Sequence, residues 1–158
     1  MAGLIVQTQP SAEPVSEAEI RNYLKATDTA DQALILMMGK TARKFCEEFT
    51  HRGLMTQTLK LSLDATEDIN NPLWEGMRTG PYLNYYKNYI VLPRGPVTAV
   101  TSLKTFNDSD EATTMADSRY YVDTAREPSR IVLRTGETFP TALRVANSIE
   151  VIYTVGYA

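Results

Sequence analysis

Apolar and polar positions along the chain change period once, close to Gly53. Before it the apolar residues recur every three or four positions, and after it they alternate with polar ones. Ser16 with Glu19 three residues later has the form of a capping box, and Val15 and Ile20 are spaced for a hydrophobic staple. Ile20, Tyr23 and Leu24 then share a helical face. A helix so marked runs about two and a half turns, too short to be stable alone, so it must lean on a neighbour. The spacing predicts that neighbour as a helix from about Thr29 to Thr50, with Ala30, Ala33, Leu34, Met37, Thr41, Phe45 and Phe49 on one face. Asp31 suits its first turn, and "HRG" (51–53) reads as its stop, with Gly53 as the C-cap. Gly39 in its middle costs up to ~1 kcal/mol relative to alanine, unless it buys close packing of the first helix.

Beyond Gly53, Met55, Leu59, Leu61 and Leu63 alternate with Thr56, Thr58, Lys60 and Ser62, the pattern of a half-buried strand. Further strands are expected at Tyr89–Leu92, Val97–Phe106, Tyr120–Asp123, Arg130–Arg134 and Ser148–Val155, separated by "PRGP", "NDSDE", "REPS" and "RTGETFPT". Helices first and an antiparallel meander afterwards make an α+β protein, an N-terminal helical pair followed by a β-rich portion. The expected organisation is an arm over residues 1–14, extended at Leu4–Val6, a helical part over 15–53 and a β-rich part over 54–158, forming one compact unit. Residues 64–88 form a long irregular stretch that holds Trp74, Tyr82, Tyr85 and Tyr86. These four aromatics are the candidate interface residues. Plugging the domain's own sheet and meeting another subunit are both open readings.

Length and charge narrow the function. A chain of 158 residues suits one domain. A formal net charge of −3 argues against a domain built to grip phosphates, because such domains are strongly basic. The single cysteine rules out an internal disulfide. The longest apolar run, Ala33–Met38, is too short to span a membrane. The opening "MAGLIVQTQP" lacks the basic start and long apolar core of a signal peptide, so synthesis in the cytoplasm is the expectation.

Residue types that do chemistry are scarce. His51 is the lone histidine and sits at a helix end, where a cation is favoured by the dipole. Cys46 lies beside Phe45 and reads as a buried, inert thiol. On one helix the two would project about 140° apart, which disfavours a Cys–His pair. One histidine and one cysteine cannot make a zinc set. "NDSDEATT" (107–114) has no glycine and no closing glutamate for a calcium loop, and reads as a polar hairpin turn. No phosphate loop or nucleophile elbow occurs. Arg43, Lys44 and Arg52 are interleaved with Glu47 and Glu48, the mark of a solvated helix face. The expectation is no catalytic residue, no cofactor and no metal.

Several segments in order carry a resemblance: "EPVSEAEIRNYLKATDTADQALI", "CEEFTHRGLMTQT", "YIVLPRGPVTAVTSLKTF", "YYVDTAREPSRIVL" and "IEVIYTVGY". Together they resemble the head–tail connector, or adaptor, family of tailed bacteriophages and prophages, over roughly residues 10–157. The resemblance implies a virion structural protein at the neck, with no catalytic residues to transfer. It implies a ring of about twelve copies under the portal protein, closed by heterologous contacts. Such a ring extends the DNA channel and docks a stopper or other tail-side neck protein, and DNA passes without sequence-specific binding. An acidic balance suits such a lining, although salt screens its field beyond about 8–10 Å. Members of this family continue past "GY" into further helices, where this sequence has only Ala158. Two other functions compete: another neck or tail-completion protein, and a solitary β-rich ligand-binding module that uses the aromatic loop.

Overall fold

A computed structural model describes residues 3–27, 30–65, 83–84, 89–140 and 142–157. In chain order the elements are β1 (Gly3–Thr8), α1 (Glu17–Leu24), α2 (Gln32–Thr50), β2 (Gln57–Leu63), β3 (Leu83–Asn84), β4 (Tyr89–Leu92), β5 (Val97–Phe106), β6 (Ala112–Thr114), β7 (Tyr120–Asp123), β8 (Ser129–Leu133) and β9 (Ile149–Val155). A 3-10 turn, Asp117–Arg119, leads into β7. The fold is α+β, with the helical pair between the first strand and the rest.

The strands are antiparallel, as their alternation demands, but they do not form a meander. They make two sheets, ordered β1-β2-β9-β5-β6 and β3-β4-β8-β7. The last strand is inserted between β2 and β5, and β8 between β4 and β7, so the β2–β9, β9–β5 and β4–β8 pairs join strands distant in sequence. Register explains the choice. Leu59, Leu61 and Leu63 of β2 face Tyr153, Val151 and Ile149 of β9, and Val151 in turn faces Leu103 of β5. All of these are buried, and they join Ile90, Leu92, Tyr120, Ile131 and Leu133 of the second sheet in one core cluster. A one-residue slip of β9 would put Glu150, Ile152 and Thr154 into that core, so the pairing is strongly specified. The buried Tyr153 hydroxyl donates to the Pro93 carbonyl at 2.8 Å, which ties the central strand to the β4–β5 turn.

The first residues form an edge strand, with Leu4 and Val6 packed against the core and a bulge after Val6. The "NDSDE" segment is the polar turn expected of it: Asn107 Oδ1 accepts from the Ser109 and Glu111 amides between β5 and β6.

Helix α1 is capped as the sequence predicts. The Ser16 hydroxyl accepts from the Glu19 amide, and the Glu19 carboxylate accepts from the Ser16 amide at 2.8 Å. Ile20 sits over Gly39 so closely that a Cβ there would lie 2.8 Å from the Ile20 Cδ1, which accounts for the mid-helix glycine. Val15 stays exposed. Helix α2 begins at Gln32, later than expected, and its C-cap is His51 in the left-handed region (φ 54°), not Gly53. Gly53 has a different duty. It is buried, and a Cβ on it would lie 2.7 Å from Val155 Cγ2, so its bare backbone lets the helix exit pass against β9.

Candidate functional site

The two faces of α2 are the reverse of what an amphipathic helix in a monomer shows. Its buried side carries Ile35, Arg43 and Glu47, with Gly39 between them. Arg43 is 5% exposed and Glu47 2%. Arg43 Nη1 donates to Glu47 Oε2 at 2.8 Å, and Arg43 Nε donates to Glu13 Oε2 at 2.7 Å. The other Glu47 oxygen accepts from the Leu54 amide at 3.0 Å and from Gln57 Nε2 at 2.8 Å. This network, not an apolar seam, joins α2 to the start of β2 and to the chain before α1. None of the residues of the core cluster comes from α1 or α2.

The apolar side of α2 faces outward. Leu34, Met37, Met38, Phe45 and Phe49 are exposed, Phe45 by 69% and Phe49 by 78%. Phe45 and Phe49, one turn apart, stack with ring centroids 6.3 Å apart and planes 13° apart. At 100° per residue, Leu34, Met38, Thr41, Phe45 and Phe49 fall within an arc of about 80°. The spacing that predicted the helix is therefore correct, and α1 leans on α2 as expected, though not on this face. Helix α1 packs on another side, through Ile20 against Gly39 and through Gln32 Nε2 donating to Glu17 at 2.8 Å. Tyr23 on α1 is 87% exposed.

Other sequence candidates lie apart from one another. His51 is exposed at the end of α2. Cys46 is exposed as well, which corrects its reading as a buried thiol. Arg43 is locked in its buried ion pair and is not part of a solvated basic face, while Lys44 is exposed. Arg52 reaches Glu127 and the Tyr157 hydroxyl, which clamps the end of α2 to the β7–β8 turn and to the chain after β9. Trp74, Tyr82, Tyr85 and Tyr86 lie outside the described residues.

A cleft of about 240 Å³ opens between β1 and α2, lined among others by Lys44, Glu48, Gln57 and Arg94. Its charges are mixed, and its buried carboxylate, Glu47, already has three donors. Among the described residues, no three histidine, cysteine, aspartate or glutamate side chains group as a metal site would need, and no helix is long and apolar enough to cross a membrane. Among the described residues, most of the exposed large apolar side chains lie on the helical pair. Alternation and capping signals locate the helix; nothing in a one-dimensional pattern says which face the rest of the chain covers.

No protein-family model matches the sequence, and no curated protein matches it. Solved structures do share the fold. A chain in the neck of an empty GTA particle, computed with C6 symmetry, matches over 99% of this chain and 71% of that one, with a TM-score of 0.67 and 22% identity. A chain in the virion of a native gene transfer agent (GTA) particle matches over 98% and 71%, with a TM-score of 0.67 and 20% identity. A chain in the neck of a native GTA particle, computed with C12 symmetry, matches over 100% and 70%, with a TM-score of 0.62 and 22% identity.

Proposed function

We propose that this chain is a structural protein of a virion neck, a head–tail connector that forms a ring of about twelve copies beneath the portal protein. The observation that carries the reading is the match of the whole chain, helical pair and both sheets, to chains of phage-like necks computed with sixfold and twelvefold symmetry. The ring extends the DNA channel and offers a landing surface to a stopper or tail-side neck protein. Its role is to hold and position, not to catalyse. Its acidic balance lets DNA pass without being gripped. Trp74, Tyr82, Tyr85 and Tyr86 belong, in this reading, to the contacts with other subunits. Replacing Trp74 by alanine then leaves the isolated fold intact and impairs assembly; loss of folding itself would instead place that side chain in the core.

Cryo-EM of particles carrying this chain tests the reading. Copies circling the genome conduit between portal and tail are expected. Particles with a complete neck and no such copies would refute it.

A further inference from the structure

We propose that the cleft between β1 and α2 receives an extended, acidic segment of a partner protein, which adds to the five-stranded sheet as a further strand along β1. The contact is independent of ring closure.

Strand β1 ends that sheet, so one of its two edges has no neighbouring strand. In an antiparallel pair, alternate residues turn their N–H and C=O groups away from the partner. On β1 these outward groups find no backbone partner among the described residues. Open edges are commonly protected by a charge or a proline, and "GLIVQT" has neither. Leu4 and Val6 turn to the core yet stay half-buried, and Ile5 is 58% exposed. The stretch before the bulge, Gly3–Val6, offers about 13 Å of strand.

The cleft runs along that edge. Leu4, Ile5 and Val6 all line it, although successive residues of a strand point to opposite faces, so it is the edge that offers all three. The facing wall is the C-terminal half of α2. A strand added there gains affinity from main-chain hydrogen bonds and specificity from the walls beside it. At about 240 Å³ the cleft is smaller than the roughly 300–1,000 Å³ of sites that enclose small molecules.

Charge selects the occupant. Arg43 and Glu47 neutralise each other. Lys44 and Arg94 then stand against Glu48 alone on the walls, and neither cation has an ion pair among the described residues. The walls thus carry an excess of positive charge on a chain whose formal net charge is −3. Gln57 also lines the cleft. It is 2% exposed, and its Oε1 is buried with no donor among the described residues. A peptide brings N–H donors to such a wall, and acidic side chains answer the two cations.

The test uses the full chain and fluorescein-labelled heptapeptides of alternating valine and threonine. One peptide carries two glutamates at its N-terminal end, another carries them at its C-terminal end, and matching peptides carry lysines instead. Fluorescence anisotropy is expected to show binding of at least one glutamate peptide. Its lysine counterpart is expected to bind at least ~10-fold more weakly, the scale of two exposed ion pairs. Strand addition uses every second amide of the ligand. N-methylation of the even-numbered residues and of the odd-numbered ones therefore gives one peptide that no longer binds and one that does. A Lys44→Glu/Arg94→Asn variant is expected to weaken binding by a similar factor; asparagine suits the left-handed backbone at position 94 (φ 60°). Hydrogen exchange of wild type is expected to find alternate amides of Gly3–Val6 unprotected in the free chain and protected in the complex. Failure of every peptide to bind, equal binding of the two N-methylated forms, or lysine peptides that match the glutamate ones overturns the inference. A free chain that native mass spectrometry finds dimeric, with these amides already protected, assigns the edge to a second copy and overturns it too. Should the variant unfold, the N-methylated peptides and hydrogen exchange decide on wild type alone.

Discussion

Replacing Glu47 by leucine is the sharpest probe of how the helices are attached. Glu47 is 2% exposed and accepts three hydrogen bonds, from Arg43, the Leu54 amide and Gln57. Leucine removes both acceptor oxygens, and so all three hydrogen bonds, and leaves Arg43 with Glu13 as its only ion-pair partner among the described residues. Breaking a buried pair by removing one member costs about 3–5 kcal/mol. Glu13 still holds Arg43 Nε, and its side chain is partly exposed, so the lower end applies: about 3 kcal/mol. For a chain of this size that lowers the melting temperature by about 6–12 °C. Glutamine at the same place keeps an acceptor for Leu54 and Gln57 but loses the charge and the oxygen that accepts from Arg43, so a smaller loss than for leucine is expected. Removing both buried charges together, Arg43→Met with Glu47→Leu, leaves only the partly exposed Glu13 without its partner and should recover stability relative to Glu47→Leu alone. Urea and thermal unfolding followed by circular dichroism measure all three. A Glu47→Leu variant that melts within about 2 °C of wild type, or a double variant no more stable than the single, would refute the reasoning.

Three further outcomes follow from the same structure. The Arg21 and Gln32 side chains hold the Glu17 carboxyl below its ordinary pKa, and Ser16 does the same for Glu19. The folded chain thus binds these protons less readily than the unfolded one. Their stabilisation is present above the ordinary glutamate pKa of about 4.3 and is lost as pH falls through the lower folded values. An acid titration of helicity should show this loss, and Glu17→Gln with Glu19→Gln should flatten it. Gly156 has φ +127°, and a Cβ on it would lie 2.5 Å from the Met55 backbone, so Gly156→Ala should destabilise by about 3 kcal/mol in urea unfolding. Gly39→Ala gains up to about 1 kcal/mol of helix propensity but overpacks Ile20 at a cost of about 1–3 kcal/mol. Combining it with Ile20→Val, which deletes the clashing Cδ1, should recover stability relative to Gly39→Ala alone, as melting curves can show.

Local signals in the sequence determined the elements. The Ser16–Glu19 box, the three-and-four spacing before Gly53 and the alternation after it depend only on neighbouring residues, and they located both helices and most of the long strands. Gly39 was legible as a contact for α1 because a helix tolerates glycine at a cost that packing can offset. The arrangement of those elements needed the tertiary structure. Insertion of β9 between β2 and β5 is a long-range pairing, settled by which side chains fill one shared core, and no short window records it. The candidate site depended most on the third dimension. The period of α2 shows that an apolar face exists, but Arg43 and Glu47, spaced four apart with good partners in Glu13, Leu54 and Gln57, satisfy each other and take the inner side. A buried charge is tolerable only with such partners, and partners from three separate segments meet only once the chain has folded. That polar inner side is what leaves Phe45 and Phe49 facing outward.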